Sequence, residues 1–347
     1  MSGSDTPFVP RTAPTATPRP VPAWAKKRPP KSKAAVRTSR ATVGATRFVA
    51  PRDPNQHAHK IAEGVIGAWF TSFGGSSIEI PIGTVGALAL LRQPKAVGPE
   101  LANWVLSLQS GELPQLIKEI YLGHWITRPD LINRAIPIHD WAWNPSPDPQ
   151  QLRAVHAVTN QAVNAGLLEL TGHSDPYRRA QSDVLSPLLT GLRHKSDKKW
   201  RGEYHTPASV TDLMARVLVD EDFAQPDKAI GEPAVGSGGM LRSIAQRLRE
   251  LQRNPHDYSW YGNDVDPLAA ACAAVNTIIW DLGPRALIGC ADSLANGDGG
   301  YTKTLSQAQD AYKQRDNVVE AASTIAASRR AFRLLCELVP DKEEASA

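Results

Sequence analysis

The stretch that most narrows what this chain can fold into is IGEPAVGSGGML, from Ile230 to Leu241, in which four glycines separate a short apolar run from a helical one. Glycine costs conformational entropy on folding but accepts positive φ and lets other groups approach the backbone closely. A cluster of it between a strand and a helix therefore marks a sharp turn or a close neighbour. The residues that follow extend the pattern. Leu241, Ile244, Leu248 and Leu251 share one helical face, which ends at Asn254-Pro255. Tyr258 to Val265 is strand-like, and Asp266-Pro267 suits an N-cap followed by the first helical residue. That helix should run to Leu282 and stop at Gly283, before a third strand from Ala286 to Cys290. Strand, glycine turn, helix, strand, helix and strand open a doubly wound parallel sheet, whose ligand lies at the carboxyl ends of the strands.

Spacing tests three other readings of the loop. A nicotinamide-type G-x-G-x-x-G would begin at Gly236 and Gly238, but its third position is Leu241. A phosphate-binding Walker loop needs Gly-Lys-Ser/Thr, where this chain has Gly239-Met240. A nucleophile elbow around Ser237 would need glycine at Val235. A tight turn kept only for helix packing stands beside these as the plainest alternative.

Four segments in order carry a more specific pattern: Arg201-Gly-Glu-Tyr-His-Thr-Pro207, the glycine loop, Gly262-Asn-Asp-Val-Asp-Pro267 and Gly289-Cys-Ala-Asp-Ser-Leu294. In order and spacing they resemble the N6-adenine DNA methyltransferase family, of the kind found in type I restriction-modification modification subunits. The resemblance covers about Gln181 to Leu294. It implies an α/β, Rossmann-like sheet that binds S-adenosyl-L-methionine, here an incomplete one with a mostly helical region before it. The family's first cofactor segment falls on Gly202, Glu203, Tyr204, Thr206 and Pro207, with His205 in place of the usual aromatic residue. Its Asp-Pro-Ala-Cys-Gly-Ser-Gly-Gly falls on Glu232, Pro233, Ala234, Val235, Gly236, Ser237, Gly238 and Gly239, departing at Glu232 and Val235. The resemblance assigns this loop to the methionine part of the cofactor. A carboxylate such as Glu232 suits the cationic sulfonium and amino group, and the helix N-terminus suits the cofactor's carboxylate. It further implies that Asp264 meets the ribose hydroxyls, with Asp266 as runner-up or as a plain helix cap, and that Asp292 accepts from the adenine amine.

The same resemblance predicts an Asn/Asp-Pro-Pro-Phe/Tyr motif a few tens of residues after Asp292, to hold the amine of a flipped-out adenine. The sequence contains no such motif; Asn144-Pro145-Ser146-Pro147 lies far upstream, lacks the aromatic residue and reads as a turn. No catalytic residue can be nominated. Two function classes follow. One is a DNA adenine-N6 methyltransferase-like protein acting on DNA, with a partner subunit supplying catalytic or target-recognition elements. The other is a noncatalytic DNA-associated regulator or subunit that retains the cofactor fold. A dehydrogenase is disfavoured by Leu241 and by the Thr206-Pro207 segment.

The rest of the chain sets the organisation. Residues 1–56 are expected to be a disordered arm, since before Phe48 ten lysines and arginines face Asp5 alone among many prolines. Such an arm suits phosphate neutralisation or mere solubility; a transit peptide is the weaker third reading. Residues 57–195 read as mostly helical, 196–300 as the cofactor-binding α/β domain, and 301–347 as a C-terminal helical segment. Within the second part, His57–Phe73, Leu101–Leu108, Leu113–Tyr121, Gln150–Leu170 and Gln181–Leu192 have helical spacing, while Ser76–Leu91 begins β-like. His57 and His59 read as surface residues, and Trp141 and Trp143 as packing beside a loop. Cys272, Cys290 and Cys336 form no C-x-x-C pair and suggest inert thiols. No apolar run reaches the roughly 18 residues of a membrane span, so a cytoplasmic protein without metal is expected.

Overall fold

The computed structural model describes residues 52–92, 100–193, 206–220, 223, 225, 229–297 and 299–338. Residues 1–51 of the expected arm lie outside them, whereas Asp53 caps α1 and Pro54–Gln56 belong to that helix, so the ordered part begins before His57. The first part is helical: α1 (Pro54–Ser72), α2 (Glu79–Leu90), α3 (Glu100–Leu106), α4 (Leu113–Trp125), α5 (Pro129–Arg134) and α6 (Ile136–His139), then a 3-10 turn over Asp140–Trp143. It continues with α7 (Pro149–Asn164), α8 (Leu167–Thr171), α9 (Pro176–Arg179), α10 (Leu185–Leu192) and α11 (Ala208–Leu218). The α/β part follows as β1 (Ala229–Glu232), α12 (Gly239–Glu250), β2 (Ser259–Asp264), α13 (Pro267–Ile279) and β3 (Ala286–Cys290). A short α14 (Ser293–Asn296) leads into the long α15 (Gly299–Leu338).

Many of these helices start by one device. Asp53-Pro54, Asp148-Pro149, Asp175-Pro176 and Asp266-Pro267 each place an aspartate whose carboxylate accepts a first-turn N–H, followed by a proline already set to helical φ. Ser76–Leu91 differs from its β-like reading. Every residue from Ile80 to Leu90 is buried in α2, which packs against α4, α6, α7 and α13. A helix surrounded by protein shows no amphipathic period, and the brief alternation of Ile78, Ile80 and Ile82 imitates a strand. Its Gly83 is held by packing, since a Cβ there would lie 1.5 Å from the Ile138 carbonyl oxygen. The helical run Gln150–Leu170 is broken in two by Gly166 at φ +86°. His57 is buried, not exposed, and its Nε2 lies 2.7 Å from the Ala165 carbonyl oxygen; His59 is exposed.

The three strands form one parallel sheet in the order β1-β2-β3, with Glu232 beside Gly262 and Asp264 beside Cys290. Helix α13 lies between this sheet and the helical part, touching β2 and β3 on one side and α2, α5, α6 and α10 on the other. Its run Ala269–Ala274 is wholly buried, and the small side chains let both layers approach closely. Its C-terminal carbonyls accept from three arginines: Arg92 to Ile278, Arg179 to Ile279, and Arg249 to Trp280 and Asp281. Cations at the negative end of a helix also complement its dipole. Burial, and then the neighbouring Arg179, draws Arg92 down to about 10.

The two sheet edges differ. The outward carbonyls of β3 are capped, Ala286 by Arg128 and Ile288 by Arg134 Nε at 3.1 Å. These guanidiniums occupy the positions that another strand would use. Among the described residues nothing pairs with the outer edge of β1, whose Ala229 and Gly231 are exposed. Helix α11 packs on α12 through Thr211 and Ala215, and leaves Val210, Leu213, Met214, Val217 and Leu218 exposed along its other face. No helix of the described residues is long and apolar enough to cross a membrane.

Candidate functional site

The carboxyl ends of the three strands converge on the glycine loop. The Val235 N–H donates to the Asn263 carbonyl at 2.8 Å, continuing the β1-β2 ladder past its last pair. One residue on, the Gly236 N–H donates to the Asp264 carboxylate at 2.8 Å. The other oxygen of Asp264 accepts from the Asp266 N–H at 2.9 Å. Asp264 thus fixes both the turn after β1 and the turn into α13. Each of its oxygens keeps a second lone pair.

The three glycines of the turn itself answer to different demands. Gly236 and Gly238 have φ of +55° and +99°, a region that side chains disfavour. At Gly238 a Cβ would also lie 3.0 Å from the Trp280 ring, so a side chain there would press on that ring as well. Gly239 has neither constraint. Its φ is not positive, and a Cβ would meet no atom of the described residues within 4 Å; the same is true of space at Gly236. Among the described residues nothing closes this side of the loop. Gly238 is the N-cap of α12 and supplies no capping side chain, so the first-turn N–H groups of α12 face that opening without one.

The acidic residues sit around the loop in distinct states. Glu232 is half-buried, and its Oε1 accepts from the Ala234 N–H at 3.1 Å. Pro233 and Ala234 are exposed. Asp292 is exposed and caps α14, accepting from the Leu294 and Ala295 N–H groups. Asp266 caps α13 and forms an ion pair with Arg193, which is the cap role rather than a free strand-end carboxylate. Ser237 is buried, and its hydroxyl donates to Asp183 at 2.7 Å, which argues against it as a nucleophile. Thr206 and Pro207 are exposed at the start of α11. Tyr204 lies outside the described residues, as do Gly202, Glu203 and His205.

Several residues that order this site were not singled out by sequence. Asp183 accepts from Ser237, from Asn276 Nδ2 at 3.0 Å, and from the Leu185 and Ser186 N–H groups at the start of α10. The only local signal for it is an aspartate just before a helix. Asn276 Nδ2 also reaches the Ser237 carbonyl at 2.9 Å. Asn263 Nδ2 donates to the Ala291 carbonyl and the Ser293 hydroxyl, both at 2.7 Å, and Ser293 donates to the Pro233 carbonyl at 2.8 Å. That chain of bonds ties the ends of all three strands together.

The arrangement offers backbone N–H groups to an anion and carboxylates to a cation or to hydroxyls. Among the described residues no cluster of histidine, cysteine or acidic side chains could hold a metal. The thiol of Cys272 is buried and pushed far up by burial, and that of Cys290 is also raised by burial, so neither is a ready nucleophile.

The family model described as N-6 DNA Methylase matches residues 182–315. The type I restriction enzyme MjaIX methylase subunit of Methanocaldococcus jannaschii is 35% identical over 81 residues, 23% of this chain and 14% of that subunit. The HindI methylase subunit of Haemophilus influenzae is 26% identical over 112 residues, 31% of this chain and 24% of that subunit. The matched stretches therefore span a quarter or less of these relatives. A solved type I restriction-modification methyltransferase subunit from Streptococcus thermophilus aligns with a TM-score of 0.44 and 14% identity, over 70% of this chain and 60% of that one. Residues 182–315, which hold the sheet, the glycine loop and its anchors, thus form a domain of the N-6 DNA Methylase family model, in a chain distantly similar to type I restriction-modification methylase subunits.

Proposed function

We propose that residues 182–315 are the S-adenosyl-L-methionine-binding half of a DNA adenine-N6 methyltransferase. The observation that carries this reading is the open space over Gly236 and Gly239 beside the uncapped first turn of α12. Space of this kind at Gly239 suits a bound ligand close to the backbone. The first-turn N–H groups of α12 suit the cofactor's carboxylate, and Glu232 suits its ammonium and sulfonium charge. The remaining lone pairs of Asp264 suit the ribose hydroxyls, and Asp292 the adenine amine. When bound, the cofactor supplies an electrophilic methyl group; the loop holds and orients it. Tyr204, Thr206 and Pro207 belong to the same proposed site.

In a doubly wound sheet the ligand crevice lies where the strand order reverses, between the first strand and the strand added on its other side. Here that position is the open edge of β1, while the β3 edge is capped by arginines. This supports a reading in which further sheet, carrying the target-base pocket, joins at β1. A separate subunit is the proposed source, with DNA as substrate. Titration calorimetry with S-adenosyl-L-methionine, followed by methyl transfer to unmodified DNA with and without proteins encoded nearby, tests both halves. A folded chain that binds no cofactor overturns the first. Absence of N6-methyladenine in every mixture overturns the second.

The missing Asn/Asp-Pro-Pro-Phe/Tyr motif favours a second reading, a noncatalytic DNA-associated subunit that keeps the cofactor fold. Cofactor binding together with steeply salt-dependent DNA binding, and no turnover in any mixture, would select it.

A further inference from the structure

Helix α15 changes character halfway along. Its first part packs onto the body: Thr304, Ala308 and Ala311 are buried, Gln307 bonds Arg134 at 2.8 Å, and Arg315 Nη1 reaches the Ile126 carbonyl at 3.2 Å. From Asp316 to Leu335 every residue is exposed, on all sides of the helix. Twenty residues of helix extend about 30 Å, and this stretch lacks the tertiary packing from which most helical stability in proteins comes. Its exposed apolar residues include Val318, Ile325, Phe332 and Leu335, with Phe332 70% and Leu335 61% accessible. Val318, Ile325 and Phe332 recur every seven residues, and Ala321, Ser328 and Leu335 follow each by three. That is the spacing of the two seam positions of a coiled coil.

We infer that this half of α15 pairs with the same segment of a second copy of the chain, antiparallel, across a two-fold axis. The sequence is complementary to itself in that orientation. One register sets Val318 against Leu335, Ala321 against Phe332 and Ile325 against Ser328, so each layer combines a larger side chain with a smaller one. A parallel pair would stack Phe332 on Phe332, Ala321 on Ala321 and Ser328 on Ser328, alternating crowded with underfilled layers. Charge agrees. Asp316 and Glu320 lie in the first part of the segment, and Arg329, Arg330 and Arg333 in the second. Antiparallel helices bring the acidic part of one beside the basic part of the other, whereas parallel helices bring the arginines together. The isologous contact closes on itself as a dimer. A seam of this length buries on the order of 1,000 Å² in total, the lower end of stable interfaces, so the dimer should dissociate on dilution.

The test is light scattering on the full chain over a dilution series, with Phe332→Glu and Ile325→Glu as variants. The expected result is a mass that rises with concentration from that of one chain to that of two. Each variant should weaken association by at least about tenfold, with the near-UV signal of the body unchanged. A monomer at every concentration overturns the inference. So does a dimer that survives both variants, which would point to another surface such as the exposed face of α11. Orientation is read by oxidative cross-linking above the wild-type background. In a Cys336→Ser background, Val318→Cys mixed with Leu335→Cys should give covalent dimers that neither variant gives alone. Cross-linking of each variant by itself would overturn the antiparallel arrangement.

Discussion

The Gly236 N–H and the Asp264 carboxylate, 2.8 Å apart across the ends of β1 and β2, bind the glycine loop to the sheet. Replacing Asp264 with alanine strands the N–H groups of Gly236 and Asp266. The expected loss is about 1–3 kcal/mol of stability, with cofactor binding reduced further than that loss accounts for. Denaturant unfolding and calorimetric titration of Asp264→Ala beside Asp264→Asn check this. The amide oxygen of the Asn variant can keep one of the two bonds, so it should recover part of the stability and little of the binding.

Gly238 and Gly239 should separate folding from binding. Gly238→Ala forces a side chain to φ +99° and toward Trp280, and should destabilise by about 1–3 kcal/mol. Gly239→Ala meets no atom of the described residues and replaces glycine within a helix, so stability should hold or rise by up to about 1 kcal/mol. If the cofactor lies over the loop, affinity should fall in Gly239→Ala despite an intact fold. Thermal unfolding and titration of the two variants separate the cases; unchanged affinity in Gly239→Ala would remove the proposed approach at that residue.

Asp183 links the start of α10 to the loop and to α13. Asp183→Ala leaves Asn276 Nδ2, the Ser237 hydroxyl and two N–H groups without their acceptor, and should cost about 2–4 kcal/mol. Ser237→Ala removes one of these bonds and should cost about 1 kcal/mol. Urea midpoints of the single and double variants should be less than additive, since both act on one network.

The pair His256 and Asp281, 3.0 Å apart, gives a pH signature. The hydrogen bond to Asp281 raises the His256 imidazolium pKa above its usual value, and the bond from His256 lowers that of Asp281. The histidine contribution is fully present below the ordinary imidazole value and is lost as pH rises through the raised one. The aspartate contribution is present above the ordinary carboxylate value and is lost as pH falls through the lowered one. Stability from this pair should therefore span the mildly acidic range and decline on both sides. Both side chains are well exposed, so the effect should be small. Thermal unfolding of wild type and His256→Gln across pH should converge at alkaline pH.

Part of this architecture is legible in the sequence. The third strand was placed at Ala286–Cys290, its observed bounds, and the second within two residues, because short apolar runs framed by Gly, Asn-Pro and Asp-Pro leave little freedom. Asp266-Pro267 starts α13 as read, since the cap depends on neighbouring atoms only. The sequence reading sets His57 at the surface because a histidine on a helix gives no sign that its face is buried against Ala165. Helix α2 was misread because burial on every side erases the periodicity on which sequence reading relies.

The sequence by itself determined the order of strands and helices from Ala229 to Cys290, the Asp266 cap and the glycine turn after β1, because these follow from local sterics and hydrogen bonding within a few residues. Tertiary structure alone decided which carboxylate does what. The parallel register of β1 and β2 turns Asp264 onto Gly236, and the packing of α10 against α13 brings Asp183 to Ser237, some fifty residues away. It also decided that one sheet edge is closed by arginines while, among the described residues, nothing pairs with the other, a contrast set by long-range placement of side chains.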